Sequence, residues 1–308
     1  MTTILNERVA YLNGEYVPES RTFVHFRDRG FVFGDAVFDT ARTFGGRIYR
    51  LDAHLERLFR SLRYLRIDPG LGRAELGAVT EEVVERNRHL LAPGEDYWVS
   101  QRVSRGPNLP GAPGARTGPT VIVECTPLPL APRAALFRDG VAVVIPSVRR
   151  TPPEALSPNA KMQNYLNLIV AGFEHEPDGR TWPILLDTRG FLSEGSGSNL
   201  FLVRDGEVLT PRAEYVLPGV SRAVVIDLCA RLGLPCREGD LSLYDAATAE
   251  EAFLTSTSLC VCPVASINGQ PLAEPALPGP VTSRIMAAFS EEVGFDFAGQ
   301  YLRHLDHG

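Results

Sequence analysis

The 308-residue chain carries 31 basic side chains, and every one except Lys161 is an arginine. Arginine replaces lysine on most surfaces, but not where an amine must shed its proton. A guanidinium stays charged, whereas an ammonium can be tuned into a nucleophile. Lys161 is therefore the first candidate for covalent chemistry, the imine that a primary amine forms with a carbonyl. Its surroundings exclude other lysine chemistry. It follows Ala160 rather than the glycine of a phosphate loop, and no V-A-I-K strand motif precedes it. Pro158, not serine, stands three residues before it, which removes the Ser-x-x-Lys acyl-transfer pattern.

Four further stretches carry residues of matching chemistry. Tyr165 follows the lysine by four residues, and a helix starting here would put both near one face. The phenol suits a donor to a ring oxygen, or a core position. Asp187-Thr-Arg-Gly-Phe-Leu-Ser-Glu194 ends in an acid just before Gly-Ser-Gly-Ser198-Asn199, which suits a partner for a ring nitrogen, or an exposed turn. Leu217-Pro-Gly219-Val220-Ser221 reads as a turn opening a helix, whose free N–H groups attract phosphate; Ser221 also suits simple capping. Phe253-Leu-Thr255-Ser256-Thr257-Ser258 ends a strand in four hydroxyls, fit for an anion or for a polar turn. An imine-forming amine, an acid that keeps a pyridine nitrogen protonated and an anion cradle are together what pyridoxal phosphate requires of a protein.

These side chains need a scaffold, and the patterning supplies one. Residues 9–12, Asn13-Gly14 and 15–17 spell a hairpin with a type I′ turn. Residues 36–44, Gly45-Gly46 and 47–51 spell a second. Leu51, Leu55, Leu58, Leu62 and Leu65 recur as an amphipathic helix with Asp52 at its N-cap, ended by Asp68-Pro69-Gly70. A second helix is expected over 75–91, and strands over 97–103 and 120–125. The Gly/Pro-rich stretch 105–118 has the length of a functional loop. Thr126-Pro-Leu-Pro-Leu-Ala-Pro132 reads as a linker. Beyond it, strands near 141–145, 184–187, 200–203 and 252–255 alternate with helices near 164–174 and 221–232. The expected fold is α+β: a small α/β domain over 1–125, a linker over 126–139, and a larger domain over 140–308 that carries the lysine.

Composition narrows the function classes. Hydrophobic residues at 44% and charged residues at 22% exclude disorder as a description of the whole chain. A net charge of −6 gives no reason to expect a nucleic-acid or anionic-membrane partner. No apolar run reaches the ~18 residues of a bilayer span, and the first residues carry charges where a signal peptide has its apolar stretch. A cytoplasmic location is expected. The 5 cysteines and 6 scattered histidines form neither a disulfide framework nor a zinc pattern, so no metal site is expected.

Together the segments resemble the fold-type IV (class IV) pyridoxal-phosphate aminotransferases. That group holds the branched-chain and D-amino acid aminotransferases, the (R)-selective amine transaminases and aminodeoxychorismate lyase. The resemblance runs from about Val9 to Gly269. It is carried by His54-Leu-Glu-Arg57-Leu, Asn164-Tyr-Leu, Phe191-Leu-Ser-Glu194-Gly-Ser-Gly-Ser-Asn199-Leu-Phe, Leu217-Pro-Gly-Val-Ser-Arg and Phe253-Leu-Thr-Ser-Thr-Ser, in the family's order. It implies a small α/β domain with a larger barrel-like one, and at least a homodimer. It also implies Lys161 as Schiff-base residue and proton shuttle, Glu194 on the pyridine nitrogen, and Tyr165 on the ring hydroxyl. Arg57, Val220, Ser221 and Thr257 would take the phosphate, and Ser198, Asn199 and Ser256 complete the implied cofactor contacts. Arg57 lies off the leucine stripe, so spacing alone equally allows a solvated arginine.

The substrate signature is mixed. Phe38-Asp-Thr40-Ala-Arg42 stands where branched-chain enzymes show F-E-G-I-R, and Trp98-Val-Ser-Gln-Arg102-Val-Ser-Arg105 replaces their Y-V-R-P-L-I. Asp28-Arg-Gly-Phe-Val-Phe33-Gly-Asp35 matches the D-type D-R-G-x-x-F-G-D, but Phe38 stands where those enzymes have Tyr and their P-R-A-H is missing. The resemblance implies amino transfer from a branched-chain or other hydrophobic amino acid, or an (R)-type primary amine, to a 2-oxo acid such as 2-oxoglutarate or pyruvate. A D-amino acid aminotransferase and a lyase needing no 2-oxo acid are the alternatives within the fold; a binding module without cofactor is the one outside it. Phe33, Phe38, Thr40, Arg42, Arg105, Arg116 and Ser258 are the expected substrate contacts. A carboxylate-binding arginine must not be stranded beside an apolar donor. That favours Arg105 or Arg116, on the Gly/Pro-rich loop, over Arg42 on its strand, with the hydroxyl turn Thr257-Ser258 as the other carboxylate site.

Overall fold

The structure is a computed structural model and describes residues 7–109, 118–175 and 178–305. The chain divides into two compact units, Met1–Leu128 with Ala160–Asn164, and Pro129–Asn159 with Tyr165–Gly308.

The first unit is built on an antiparallel sheet of β1 (Val9–Leu12), β2 (Glu15–Pro18), β3 (Ala36–Phe44), β4 (Arg47–Ile48), β5 (Tyr97–Ser104) and β6 (Thr120–Pro127), in the order β2-β1-β6-β5-β3-β4. Asn13 and Gly14, at φ 52 and 104, make the tight turn that the sequence calls for between β1 and β2. A short helix α1 (Arg29–Phe33) precedes β3, and α2 (Leu51–Leu65) and α3 (Arg73–Asn87) cover one face. Val37, Asp39 and Ala41 are fully buried, while Phe38 and Thr40 between them are half-buried, so β3 turns alternate residues to the helices and to the opposite face. The leucine stripe of α2 is real, with Leu55, Leu58 and Leu62 buried. Its N-cap is Arg50, in the left-handed region, and Asp52 sits inside the first turn, where an acid favours the helix dipole.

The second unit holds α4 (Leu130–Asp139), β7 (Val141–Val144), α5 (Leu166–Gly172), β8 (Thr181–Leu186), β9 (Leu192–Gly195), β10 (Asn199–Arg204), β11 (Glu207–Pro211), α6 (Val220–Arg231), β12 (Cys236–Gly239), α7 (Leu243–Ala247), β13 (Glu251–Ser256), β14 (Cys260–Ile267), β15 (Gln270–Pro271), α8 (Pro280–Val293) and α9 (Phe297–Leu302). The strands follow β12-β11-β10-β13-β14-β7-β8-β9, and β9 also pairs with β10. That last pairing closes β10, β13, β14, β7, β8 and β9 into a ring, the barrel expected of the larger domain. One residue pair makes the closure, Glu194 opposite Asn199.

Two boundaries differ from the sequence reading. The junction of the two units, between Leu128 and Pro129, falls inside 126–139, but that stretch is not an irregular linker: β6 runs to Pro127 and α4 begins at Leu130. Pro132 lies in the first turn of α4, where a missing N–H breaks no helical bond. The lysine is not carried by the body of the larger unit either. Ala160–Asn164 belongs to the first unit because it runs along β3: Phe38 N–H donates to Lys161 O (3.0 Å), Gln163 N–H to Ala36 O (3.0 Å), and Met162 bridges Val37.

Candidate active site

In the first unit, Lys161 is fixed through its backbone. Its N–H donates to Ser61 Oγ of α2 at 3.0 Å and its carbonyl accepts from Phe38 N–H. The amine lies 4.4 Å from the centre of the Phe38 ring. The stretch is extended and α5 begins only at Leu166, so the helical spacing expected of Lys161 and Tyr165 does not occur. On the helix-facing side of β3, Arg57 makes two bonds to Asp39, Nε to Oδ2 (2.8 Å) and a terminal nitrogen to Oδ1 (2.7 Å). His54 Nδ1 lies 2.8 Å from Asp39 Oδ1, and since a carboxylate only accepts, Nδ1 carries the hydrogen. Arg57 is therefore no solvated arginine. Burial would push the Asp39 carboxyl up, but the Arg57 charge and the hydrogen bonds from His54 and Arg57 outweigh it and hold Asp39 well below the usual carboxylate range. Burial pushes the His54 imidazole down, against the pull of Asp39.

In the second unit, Glu194 is 5% exposed, which rules out a solvated turn acid. Oε1 accepts from Arg150 Nε at 2.9 Å and Oε2 from Leu217 N–H at 2.8 Å, so a donor meets each oxygen, one of them charged. Asn199, its partner at the barrel closure, donates from Nδ2 to Leu217 O at 3.1 Å. The 217–219 turn is thus tied to both residues, and it delivers the N-terminus of α6. Gly219 is the N-cap without a side-chain cap, and a Cβ there would meet Asn199 Oδ1 at 2.2 Å. Ser221 Oγ donates to Ser256 O (3.0 Å), which joins this helix end to the hydroxyl turn after β13. Ser258 accepts from Arg133 at 2.6 Å, and its carbonyl from Tyr301 OH at 2.9 Å. Ser198 Oγ is buried without a hydrogen-bond partner. A buried carboxylate, an uncapped 12-residue helix and an orphaned hydroxyl fit a group that brings its own polar atoms.

Tyr165 sits just before α5, half-buried, with its ring packed against Leu168, Ala171 and Leu185. Arg42 is 2% exposed and lies 4.1 Å from the Phe44 ring centre. Arg105 is tied to Asp35 by two bonds (2.7 and 3.0 Å) and to Leu65 O and Arg66 O (2.8 and 3.0 Å). It closes the C-terminus of α2 rather than swinging on a loop. Arg116 lies outside the described residues. Phe33 ends α1, exposed, with Arg29 over its ring at 5.3 Å. Asp28, from the D-type motif, caps α1 and accepts from Ser104 Oγ and Thr120 Oγ1 (2.9 and 2.6 Å), a structural duty that carries no donor preference.

A family model for class IV amino-transferases matches residues 36–267. The chain belongs to the class IV aminotransferases. It is a pyridoxal-phosphate enzyme of that class, 32% identical to the branched-chain-amino-acid aminotransferase of Salmonella typhimurium over 91% of each chain. The Escherichia coli branched-chain enzyme superposes with TM-score 0.83 at 30% identity, covering 92% of this chain and 94% of that one. A T.th. branched-chain enzyme complexed with N-(5'-phosphopyridoxyl)-L-glutamate superposes with TM-score 0.82 at 27% identity, covering 93% and 94%. Asp39, Ser61, Arg133 and Arg150 of this aminotransferase escaped the sequence reading, and His54 entered it only within His54-Leu-Glu-Arg57-Leu, without a role of its own. Asp39 alone left a signal, as the one acid inside the apolar run of β3. Arg150 follows another arginine in an irregular stretch and left none.

Glu194→Gln tests the acid. The amide keeps the bond from Leu217 N–H but cannot hold a protonated pyridine nitrogen. The expected result is bound cofactor with the donor half-reaction slowed by about two orders of magnitude or more, read by single-turnover absorbance.

Proposed function

We propose that this aminotransferase takes its amino group from a branched-chain or other hydrophobic L-amino acid and passes it to a 2-oxo acid, 2-oxoglutarate foremost. The observation that carries this reading is the end-to-end likeness to branched-chain enzymes, 32% identity over 91% of both chains. Two ligands of the T.th. enzyme support it: the glutamate adduct of the cofactor and 4-methylvaleric acid, a leucine-like acid. The aromatic wall that Phe38 gives the Lys161 amine suits an apolar donor side chain.

In this reading Lys161 holds pyridoxal phosphate covalently at rest. Glu194 faces the pyridine nitrogen, Tyr165 the ring hydroxyl, and Arg57 with Val220, Ser221, Ser256 and Thr257 the phosphate. Ser198 and Asn199 complete the cradle. The bound cofactor supplies an electron sink for the donor's Cα. Lys161 Nζ, displaced by the donor amine, would take the Cα proton and deliver it to the carbon on the other side of the donor nitrogen, and would run the same transfer in reverse with the 2-oxo acid. Asp39 keeps Arg57 oriented, and Arg150 with Leu217 N–H holds Glu194 in place. The same reading has the enzyme working at least as a homodimer in the cytoplasm. Among the described residues no helix is long and apolar enough to cross a membrane.

The test is a donor panel of L-leucine, L-valine, L-isoleucine, D-alanine and both enantiomers of 1-phenylethylamine, each with 2-oxoglutarate and pyruvate. The L-branched-chain donors should give the highest kcat/KM. A panel led by D-alanine or the (R)-amine would move the enzyme to those donors. Product formed from an aminated chorismate derivative without any 2-oxo acid would make it a lyase.

A further inference from the structure

The arginines of the first unit differ in how firmly they are held. Arg57 has two bonds to Asp39; Arg105 has two bonds to Asp35 and two to carbonyls; Arg42 is buried against Phe44, with Nε donating to Thr43 O. Arg102 is different. It stands on β5 directly opposite Phe38, on the strand face that β3 turns away from its helices. Its guanidinium carbon lies 5.6 Å from the Phe38 ring centre, and the Lys161 amine lies 4.4 Å from the same centre. The next residues along this face are Ser100 and Thr40, also opposite each other, with their hydroxyls 3.0 Å apart. Arg102 is held by one bond to Glu124 at 3.1 Å, and its side chain is 41% exposed. Glu124 lies on β6 opposite Ser100, so the pair is diagonal across the sheet.

We propose that Arg102 binds the carboxylate next to the reacting carbon of the 2-oxo acid, exchanging Glu124 for it. This rests on the reading that a 2-oxo acid is the acceptor. The acceptor's carbonyl carbon must come to the Lys161 amine, and its carboxylate is one bond further on. Arg102 and Lys161 contact one ring, so a substrate lying along Phe38 meets both. Glu124 answers the difficulty of a cation in a site that also meets apolar groups: when no acid is bound, the guanidinium returns to a resident carboxylate rather than facing an apolar surface unpaired. Arginine's planar fork can leave a single-bonded partner for a two-bonded one, which favours the exchange. A rigid strand with a resident acid thus does what a mobile loop was expected to do.

The experiment uses holoenzyme in its pyridoxamine form and two matched pairs of acceptors, pyruvate with acetaldehyde and 2-oxoglutarate with succinic semialdehyde. Each aldehyde is the acid without the carboxylate in question. Single-turnover absorbance gives the half-saturation concentration for each. Arg102→Ala should raise it tenfold or more for both acids and leave both aldehydes within about twofold. Arg102→Lys should recover part of the loss. Binding of 4-methylvalerate to the resting enzyme, by calorimetry, should weaken in parallel, and Glu124→Gln should tighten it by removing the competitor. Arg102 is overturned as the ligand if Arg102→Ala leaves pyruvate unaffected, or slows acids and aldehydes alike. The exchange is overturned if Glu124→Gln weakens the acids instead. A wild-type enzyme that gives its amino group to no 2-oxo acid would fail the proposed function itself, a result that none of these variants produces.

Discussion

Lys161→Arg should lower turnover by roughly three orders of magnitude or more while leaving the fold intact. The loss is chemical: a guanidinium neither bonds covalently to the cofactor nor gives up a proton near neutral pH, and a positioned acid–base group alone is worth about 10²–10⁴ in rate. The fold is spared because Lys161 is anchored through its backbone, to Ser61 Oγ and Phe38 N–H, and those bonds do not depend on the side chain. The checks are steady-state rate with the best donor and a melting temperature close to that of the parent. A variant with a substantial fraction of parental turnover would remove Lys161 from the chemistry.

Asp39→Asn is expected to have the largest effect on stability. Asp39 is fully buried and is the shared anion of Arg57 and His54. An amide of the same size leaves the guanidinium buried at 7% exposure without its counter-charge. Breaking a buried pair from one side costs about 3–5 kcal/mol, a fall in melting temperature on the order of 10 °C for a domain of this size. Cofactor affinity should fall with it, because Arg57 loses the two bonds that orient it. Asp39→Asn combined with Arg57→Met should recover stability but not cofactor binding, which separates the roles. The pH dependence follows from the same groups. The native Asp39 pKa is depressed, so its stabilisation is complete above the unfolded carboxylate value of about 3.9 and is lost only as pH falls through the lower native value. The His54 pKa is depressed by burial, so below about 6.5 the unfolded chain binds a proton that the native one refuses, and stability declines as pH falls. Acid destabilisation between about pH 6.5 and about 4 is thus assigned to His54 rather than to Asp39.

What the sequence disclosed was local. The Asn13-Gly14 turn, the α2 stripe, the Gly219 turn opening α6 and the hydroxyl run after β13 all stand where their short-range signals put them, because each is determined by a few consecutive residues. The misreadings come from pairing across long separations. Residues 161–165 look like a helix start, but β3, more than a hundred residues earlier, takes their backbone groups and holds them extended. The prolines near 129–132 look like a linker because proline at a helix start and proline in a coil are alike in sequence. Arg105 looks mobile beside glycine and proline, and the acid that fixes it, Asp35, lies 70 residues away. Glu194 and Asn199 were legible as an acid and an amide around a Gly/Ser loop. That they close the barrel and jointly hold the turn before α6 depends on residues 217–219, which no spacing rule connects to them.

The central claim is that Lys161 is the residue to which pyridoxal phosphate is bound. Borohydride reduction of the holoenzyme, followed by mass spectrometry of the peptides, tests it most directly. Because the chain has no other lysine, the account predicts one reduced pyridoxyl adduct, on Lys161, with the cofactor's visible absorbance lost in step. An adduct on the N-terminal amine, or an active enzyme carrying none, would contradict it.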